Sequence, residues 1–179
     1  MNLLLPINYS ITKFCSMNFC RFSYIRIAIV LCLCSVAWQV QSRDYVKVVD
    51  GDSLEIGRRR IRLLGIDAPE YRQFCSNAQK QRYECGKESR AYLDKMLKKA
   101  RYKVDCRAQK TDIYKRELAE CFIGKTNLNL EMVKAGWAVV YRSDDEAYLR
   151  AEKKARKQQK GIWQGKFLRP EYYRRLNRR

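Results

Sequence analysis

Short apolar segments separated by turn residues occupy residues 45–64 of the chain. Asp50-Gly51-Asp52 is a strong turn signal between two β-branched or apolar segments, and Gly57 marks a second turn. Pro69 fixes the backbone where the chain leaves this region. The pattern predicts a meander of three short strands, at residues 45–49, 53–56 and 60–64.

Three later segments have the apolar spacing and charge order of amphipathic helices. The predicted helices are residues 88–100, 129–135 and 144–159. The second follows an asparagine that can cap it, Asn129 or Asn127, and ends at Gly136. The third begins acidic, ends basic and stops before Gly161, which suits the helix dipole.

The remaining segments complete the predicted fold. Residues 102–106 and 118–123 suggest a hairpin around a polar loop at 107–117, residues 137–141 suggest a short extended piece, and residues 71–86 suggest a loop. Five short strands with three interspersed helices predict an α+β fold that is mainly β. The expected architecture is a five-stranded Greek-key barrel of the OB type with three α-helices.

The first 42 residues differ from the rest. They contain no Asp or Glu, carry three basic residues, and include an uncharged apolar run at 27–38. A basic front, a short apolar middle and a small residue at the exit are typical of a secretory signal peptide. The run is shorter than the roughly 20 residues of a membrane span. We therefore expect a signal peptide at 1–42, with a membrane anchor or a buried helix as the alternatives.

The charge balance and the missing histidine restrict the chemistry. The chain carries 38 Lys and Arg against 19 Asp and Glu, a net charge of +19, and no histidine. Catalytic triads or dyads that need an imidazole, and imidazole zinc sites, are excluded. The positive charge favours a polyanionic partner such as nucleic acid. We divide the chain after the leader into a domain at 43–165 and a basic, mobile tail at 166–179.

Cysteine usage supports an exported protein. Four of the eight cysteines follow the leader: Cys75, Cys85, Cys106 and Cys121. An even number in an exported domain predicts disulfides, and four cysteines allow three pairings. We favour local pairing, Cys75–Cys85 and Cys106–Cys121, each contributing about 2–3 kcal/mol; four free buried thiols are the alternative.

Acidic residues are scarce, yet four of them stand at two predicted strand ends. They are Asp50, Asp52, Asp67 and Glu70. If those ends adjoin in a barrel, the carboxylates form an oxygen-rich site that suits calcium or magnesium. From turn chemistry alone, however, Asp-Gly-Asp is also common in ordinary turns, where Asp bonds its own backbone.

Phosphodiester hydrolysis can be assembled from residues in the same segments. Arg62 and Arg116 can grip two phosphate oxygens each through the planar guanidinium fork. Glu70 can activate a water molecule, since a carboxylate serves as a general base without histidine. Each residue could equally have a structural role, as a solvated charge or a turn residue. Spacing alone therefore does not establish an active site.

The ordered combination of segments decides between these alternatives. V-V-D-G-D-S at 48–53, I-R-L-L-G-I-D-A-P-E at 61–70 and T-D-x-Y-x-R-x-L-A at 111–119 together resemble the staphylococcal nuclease family. A-G-W-A-V-V-Y at 135–141 fits as well. The resemblance runs from about residue 45 to 163 and implies the OB barrel with three helices.

The resemblance implies a role for each matching residue. Asp52 and Asp67 match the direct calcium ligands, with the backbone carbonyl of Ala68 as a third and Asp50 in support. Glu70 matches the carboxylate that orients or deprotonates the attacking water. The residues implied to bind substrate are Arg62, Arg116, Tyr114 and Tyr141.

The implied activity follows from the family. Its members are Ca²⁺-dependent hydrolases of the thermonuclease class that cut DNA and RNA and leave 3′-phosphate ends. We expect an exported, periplasmic or extracellular endonuclease that acts as a monomer without a stable protein partner. The alternative is an OB-fold protein that binds nucleic acid without cutting it. Ile113 stands where the best-known member has a lysine, which puts one terminal-phosphate contact in doubt.

Overall fold

The computed structural model describes residues 45–177 of the chain. Within this range it has ten strands, four α-helices and one 3-10 turn. The predicted signal peptide at 1–42 lies outside the described residues. The described residues all belong to one unit of the chain. Within residues 45–177 every helix is too short or too polar to cross a membrane.

In chain order the strands are β1 (Val46–Asp50), β2 (Ser53–Ile56), β3 (Arg59–Leu63), β4 (Ile66–Asp67), β5 (Cys75–Ser76), β6 (Arg82–Tyr83), β7 (Asp105–Thr111), β8 (Glu117–Ile123), β9 (Thr126–Asn127) and β10 (Val139–Val140). The helices are α1 (Cys85–Lys99), α2 (Leu128–Lys134), α3 (Glu146–Lys157) and α4 (Pro170–Leu176), with the 3-10 turn at Gly161–Gln164.

The main sheet has the strand order β1-β2-β3-β8-β7, with β9 paired to β8. The first three strands form an antiparallel meander, β3 runs parallel to β8, and β7 returns antiparallel. Within residues 45–177 no ladder joins β1 to β7, so hydrogen bonds leave the sheet open, and β4 pairs separately with β10. This mixed α+β arrangement confirms the predicted OB class, with one helix more than predicted.

Apolar side chains from the sheet and from the first three helices form the main core. Leu54, Ile61 and Leu63 project from the meander and are almost fully buried. They belong to one cluster with Leu93 of α1 and Met132 of α2. Burial of this shared face explains why the alternating pattern of the strands and the helical spacing predicted the same elements.

The predicted hairpin is longer than its pattern indicated. Strands β7 and β8 extend to Thr111 and back from Glu117, which leaves a turn of residues 112–116 instead of 107–117. Most side chains of β7 are exposed and polar, so the strand lacks the alternation of apolar and polar residues that would have predicted it. The segment 71–86, predicted as a loop, contains the small hairpin β5–β6 and the start of α1.

Both predicted disulfides are present. Cys75 is bonded to Cys85, and Cys106 is bonded to Cys121. The second bridge joins residues that are directly opposite in the β7–β8 ladder. The first closes the segment that follows Glu70, and both cysteines lie in a small second cluster with Val139 and Ile162.

The prediction of a mobile tail at 166–179 is wrong for the residues described. Residues 170–176 form α4, which begins with a buried proline, Pro170. Lys166 pairs with Ser76 of β5 through two backbone hydrogen bonds of 2.9 and 3.0 Å. The segment has few apolar groups, so composition suggested a solvated end, but backbone and charged contacts hold it to the domain.

Candidate active site

A cleft of about 1300 Å³ lies over one end of the main sheet. Its walls come from the ends of β3 and β4, the 112–116 turn, the chain after β10, and α4. The predicted site residues that line it are Asp50, Arg62, Glu70, Tyr114, Arg116 and Tyr141. The structure therefore brings together residues that are up to 91 positions apart in the chain.

The turn between β1 and β2 packs tightly against the interior. A Cβ on Gly51 would lie 1.9 Å from Ser89 Oγ and 2.8 Å from Ala68 Cβ, so only glycine fits. This close approach sets Asp50 and Asp52 beside the strand end that carries Asp67. The glycine of the Asp-Gly-Asp turn thus has a packing role that turn chemistry alone did not indicate.

Asp52 and Asp67 are joined through Arg62. The Arg62 Nη1 donates to Asp52 Oδ1 at 3.0 Å, and its Nη2 donates to Asp67 Oδ1 at 2.6 Å. The other oxygen of Asp52 accepts the backbone N–H of Ala68 at 2.9 Å. Asp52 and Asp67 are only 2% and 1% exposed, so these carboxylates lie beneath the guanidinium and not on the open surface.

Glu70 is fixed through its backbone. Its N–H donates to Oε1 of the buried Gln73 at 3.2 Å, and its carbonyl accepts the Gln73 N–H at 2.7 Å. A Cβ on Gly86 of α1 would lie 1.8 Å from that carbonyl, so α1 begins directly against Glu70. The Cys75–Cys85 bridge closes the chain between Gln73 and Gly86 and restrains this part of the cleft.

Arg116 enters the cleft from the β7–β8 turn, where Asp112 holds it. Nε and Nη2 of Arg116 each lie 2.8 Å from Asp112 Oδ2. Oδ1 of Asp112 accepts the backbone N–H groups of Tyr114 and Arg116, each at 2.9 Å. The Tyr114 ring is exposed and lies 5.5 Å from the Arg116 guanidinium carbon. One carboxylate therefore shapes the turn and orients the arginine.

Tyr141 directly follows β10 and lines the cleft. Its N–H donates to the Gly65 carbonyl at 2.9 Å, and its ring is 4.9 Å from the guanidinium carbon of Arg142. Gly65 has a φ of +80°, a conformation that favours glycine, where the chain turns from β3 into β4. Ile113 is almost fully exposed on the 112–116 turn.

Arg174 of α4 also reaches the acids, and the sequence analysis did not predict it. Its Nη1 donates to Asp67 Oδ1 and to Glu70 Oε1, each at 2.8 Å, and its Nη2 donates to Asp67 Oδ2 at 3.0 Å. A guanidinium thus grips both oxygens of Asp67 and bridges to Glu70. No local pattern indicates this contact, because Arg174 lies 104 residues from Glu70 in a segment rich in arginine.

Two further residues escaped the sequence analysis. Asp112 was visible inside the T-D-x-Y-x-R segment, and an Asp at the start of a turn commonly bonds later backbone N–H groups, as Asp112 does with Tyr114 and Arg116. Gln73 had no such signal, since glutamine in a polar segment is unremarkable. Its complete burial depends on the segments that pack around it.

Burial and mutual repulsion dominate the electrostatics of the acids. Burial, followed by the charge of Asp52, raises the pKa of Asp50 to about 8. Burial also raises the pKa of Asp67 above its usual range, although Arg174 and Arg62 oppose the shift. Burial alone would lower the pKa of Arg62, but Asp52 and Asp67 more than offset it and the pKa rises.

The donor chemistry fits a hard divalent cation. The acids offer only oxygen, the donor atom that calcium and magnesium prefer. As the side chains lie, no group of three or more Asp, Glu or Cys within residues 45–177 is arranged to hold a metal ion. Guanidinium groups stand among the acids instead. Asp52, Asp67, Glu70 and Asp50 could hold calcium only after these contacts rearrange.

The family comparison covers the residues that build this cleft. Residues 60–165, more than half of the chain, match the family of staphylococcal nuclease homologues. The chain belongs to the staphylococcal nuclease family. Members of this family are generally Ca²⁺-dependent, and the predicted resemblance is confirmed.

Individual relatives are 30–36% identical to this chain over the aligned residues. The succinoglycan biosynthesis protein ExoI of Rhizobium meliloti is 36% identical over 119 residues, 65% of this chain and 61% of the relative. An uncharacterized endonuclease of Haemophilus influenzae is 34% identical over 66% of this chain and 64% of the relative. The thermonuclease of Staphylococcus hyicus is 30% identical over 69% of this chain and 76% of the relative. The chain thus spans somewhat under two thirds of the first two relatives.

Proposed function

We propose that this protein is an exported, Ca²⁺-dependent nuclease that hydrolyses phosphodiester bonds of DNA and RNA and leaves 3′-phosphate ends. One observation carries the proposal: Arg62, Glu70 and Arg116 line a single cleft above the buried pair of Asp52 and Asp67. Family membership and the similarity to two relatives, an endonuclease and a thermonuclease, support it.

The residues of the cleft supply the parts of the reaction. Arg62 and Arg116 bind oxygens of the scissile phosphate; a guanidinium has five N–H donors, of which Arg62 spends two on Asp52 and Asp67. A bound calcium ion would neutralise phosphate charge and polarise its oxygens. Glu70 lies at the cleft surface, where its carboxylate can accept a proton from water.

The bonds change as follows in the proposed reaction. Glu70 takes a proton from water, and the water oxygen bonds to phosphorus while both arginines stabilise the added charge. The bond between phosphorus and the 5′ oxygen breaks, and that oxygen takes the proton that Glu70 received, carried through solvent water. The products are a 3′-phosphate and a 5′-hydroxyl. Tyr114 and Tyr141 both line the cleft and offer rings on which the bases or sugars can pack.

A cleavage assay tests this proposal. The purified protein is incubated with single-stranded DNA and with RNA, in calcium, in magnesium and in EGTA. We expect calcium-dependent shortening that EGTA and Glu70→Gln abolish. Glu55→Gln is the matched control, because Glu55 pairs with Lys47 on the exposed side of the meander. Retention of DNA without shortening would refute the nuclease and support the binding module.

Export and a monomeric state are part of the same proposal. The basic and apolar pattern of residues 1–42 and the two disulfides support an oxidising destination outside the cytoplasm. We expect cell fractionation to place the protein in the periplasm or medium, and mass spectrometry to find the leader removed. Size-exclusion chromatography should show a monomer. A full-length protein in the membrane fraction would contradict export.

A further inference from the structure

The C-terminal segment is held to the domain at several independent points before it reaches the cleft. Gln73 Nε2 donates to the Leu168 carbonyl at 2.6 Å, which links the segment to the residue that fixes Glu70. Arg169 Nη2 donates to the Val140 carbonyl, and the Tyr173 hydroxyl donates to the Arg72 carbonyl, each at 3.2 Å. These contacts are with the strands and loops around the cleft. They bring Arg174 to a defined position.

Arg174 occupies the side of the acids that faces the cleft. It lines the cleft and bonds both oxygens of Asp67 and one oxygen of Glu70, while Asp67 itself is 1% exposed. A guanidinium fork matches a carboxylate in this two-point geometry. Any cation that reaches Asp67 and Glu70 from the cleft therefore has to replace contacts that Arg174 now makes.

Of the two arginines on Asp67, Arg174 is the less enclosed. Arg62 belongs to β3, which is paired on both sides, and its side chain is 13% exposed. Arg174 stands in a helix of seven residues, and its side chain is 30% exposed. Arg62 also donates to Asp52. Within residues 45–177, the ion pairs of Arg174 are with Asp67 and Glu70 and not with Asp52.

We propose that Arg174 is a tethered counter-cation that competes with the divalent metal for Asp67 and Glu70, so that metal binding releases the end of α4 from the cleft. The inference rests on the proposed calcium site. The guanidinium offsets the repulsion between the carboxylates when metal is absent. Calcium takes six to eight oxygen ligands and needs these same oxygens, so the two states exclude each other.

Calorimetric titration of calcium into the full chain tests the competition. Arg174→Gln should bind calcium at least about tenfold more tightly than the wild type, a difference of about 1.4 kcal/mol. Arg175→Gln is the matched control, because it removes the same charge from the same helix turn. Arg175 lies over the Tyr172 ring, 5.8 Å from its centre. We expect Arg175→Gln to stay within about twofold of wild type.

Hydrogen–deuterium exchange provides a readout independent of affinity. Calcium should accelerate amide exchange in residues 170–176 of the wild type and leave α3 unchanged. In Arg174→Gln, exchange in α4 should already be fast without calcium. Protection of α4 by calcium in the wild type would overturn the proposal.

The outcomes separate this inference from the proposed function. Equal calcium affinity in wild type and Arg174→Gln would overturn the competition and leave the nuclease proposal standing. Weaker binding by Arg174→Gln would also overturn it and make Arg174 a support of the metal site. Failure of every variant to bind calcium would overturn both, because the metal site itself would then be wrong.

Discussion

Asp112 offers the sharpest single test of how the cleft is built. In Asp112→Asn the side chain keeps its shape, and its remaining carbonyl oxygen can still accept the N–H groups of Tyr114 and Arg116. The oxygen that faces the Arg116 guanidinium, now 2.8 Å from both Nε and Nη2, becomes an NH₂ group. Two donors then face each other, so Arg116 loses the partner that orients it.

The magnitude follows from this contact. A hydrogen bond to a charged group contributes about 1.5–3 kcal/mol when it is well shielded. The side chains of Arg116 and Asp112 are 25% and 16% exposed, so solvent screens part of that value. A net loss of about 2 kcal/mol in the transition state corresponds to roughly a 30-fold lower kcat/KM.

Steady-state cleavage of a fluorescent single-stranded DNA measures the change. Asp105→Asn is the matched control at the other end of β7, where the carboxylate pairs with an exposed Arg107, and we expect less than a twofold effect. In an Arg116→Ala background, Asp112→Asn should lower kcat/KM little further, because the guanidinium that Asp112 orients is already absent. A kcat/KM within about threefold of wild type for Asp112→Asn would refute the reasoning.

Further outcomes can be stated for the arginines, the ladder disulfide and pH. Arg62→Lys and Arg116→Lys should each lower cleavage at least about 100-fold, since an ammonium cannot reproduce a two-point contact; near-normal turnover in both would contradict this. Replacing Cys106 and Cys121 by serine should lower the free energy of unfolding by about 3 kcal/mol in urea titrations, as expected for a 15-residue loop. An unchanged urea midpoint would show that this bridge does not stabilise the fold. Because the raised pKa of Asp50, about 8, favours the protonated acid below that pH, a proton must leave before calcium binds. The calcium concentration that gives half-maximal cleavage should therefore fall between pH 7 and pH 9. A pH optimum of cleavage near 4 would contradict this expectation.

The elements of the domain could be predicted from local sequence because local signals and burial agree there. The 53–56 strand, the glycine turns and the capped helices lie where periodicity and turn chemistry placed them. Asn127 proved to be the cap of α2, accepting the Leu130 N–H, while Asn129 is buried and bonds Leu64, Ala119 and Cys121. The sequence left that choice open, since both asparagines satisfy the same local rule.

By itself the sequence determined the residue types of the site: oxygen-only acids, guanidiniums and no imidazole. Only the tertiary structure decided which of them meet. Arg62 lies with Asp52 and Asp67, Arg116 lies with Asp112, and Arg174 reaches Asp67 from the far end of the described chain. Local pattern carries no information on such contacts, because they depend on which strand ends and helices the fold brings to one place. A basic C-terminal segment can stay solvated or pair with buried acids, and here the packing against Gln73 and Arg72 selects the second outcome.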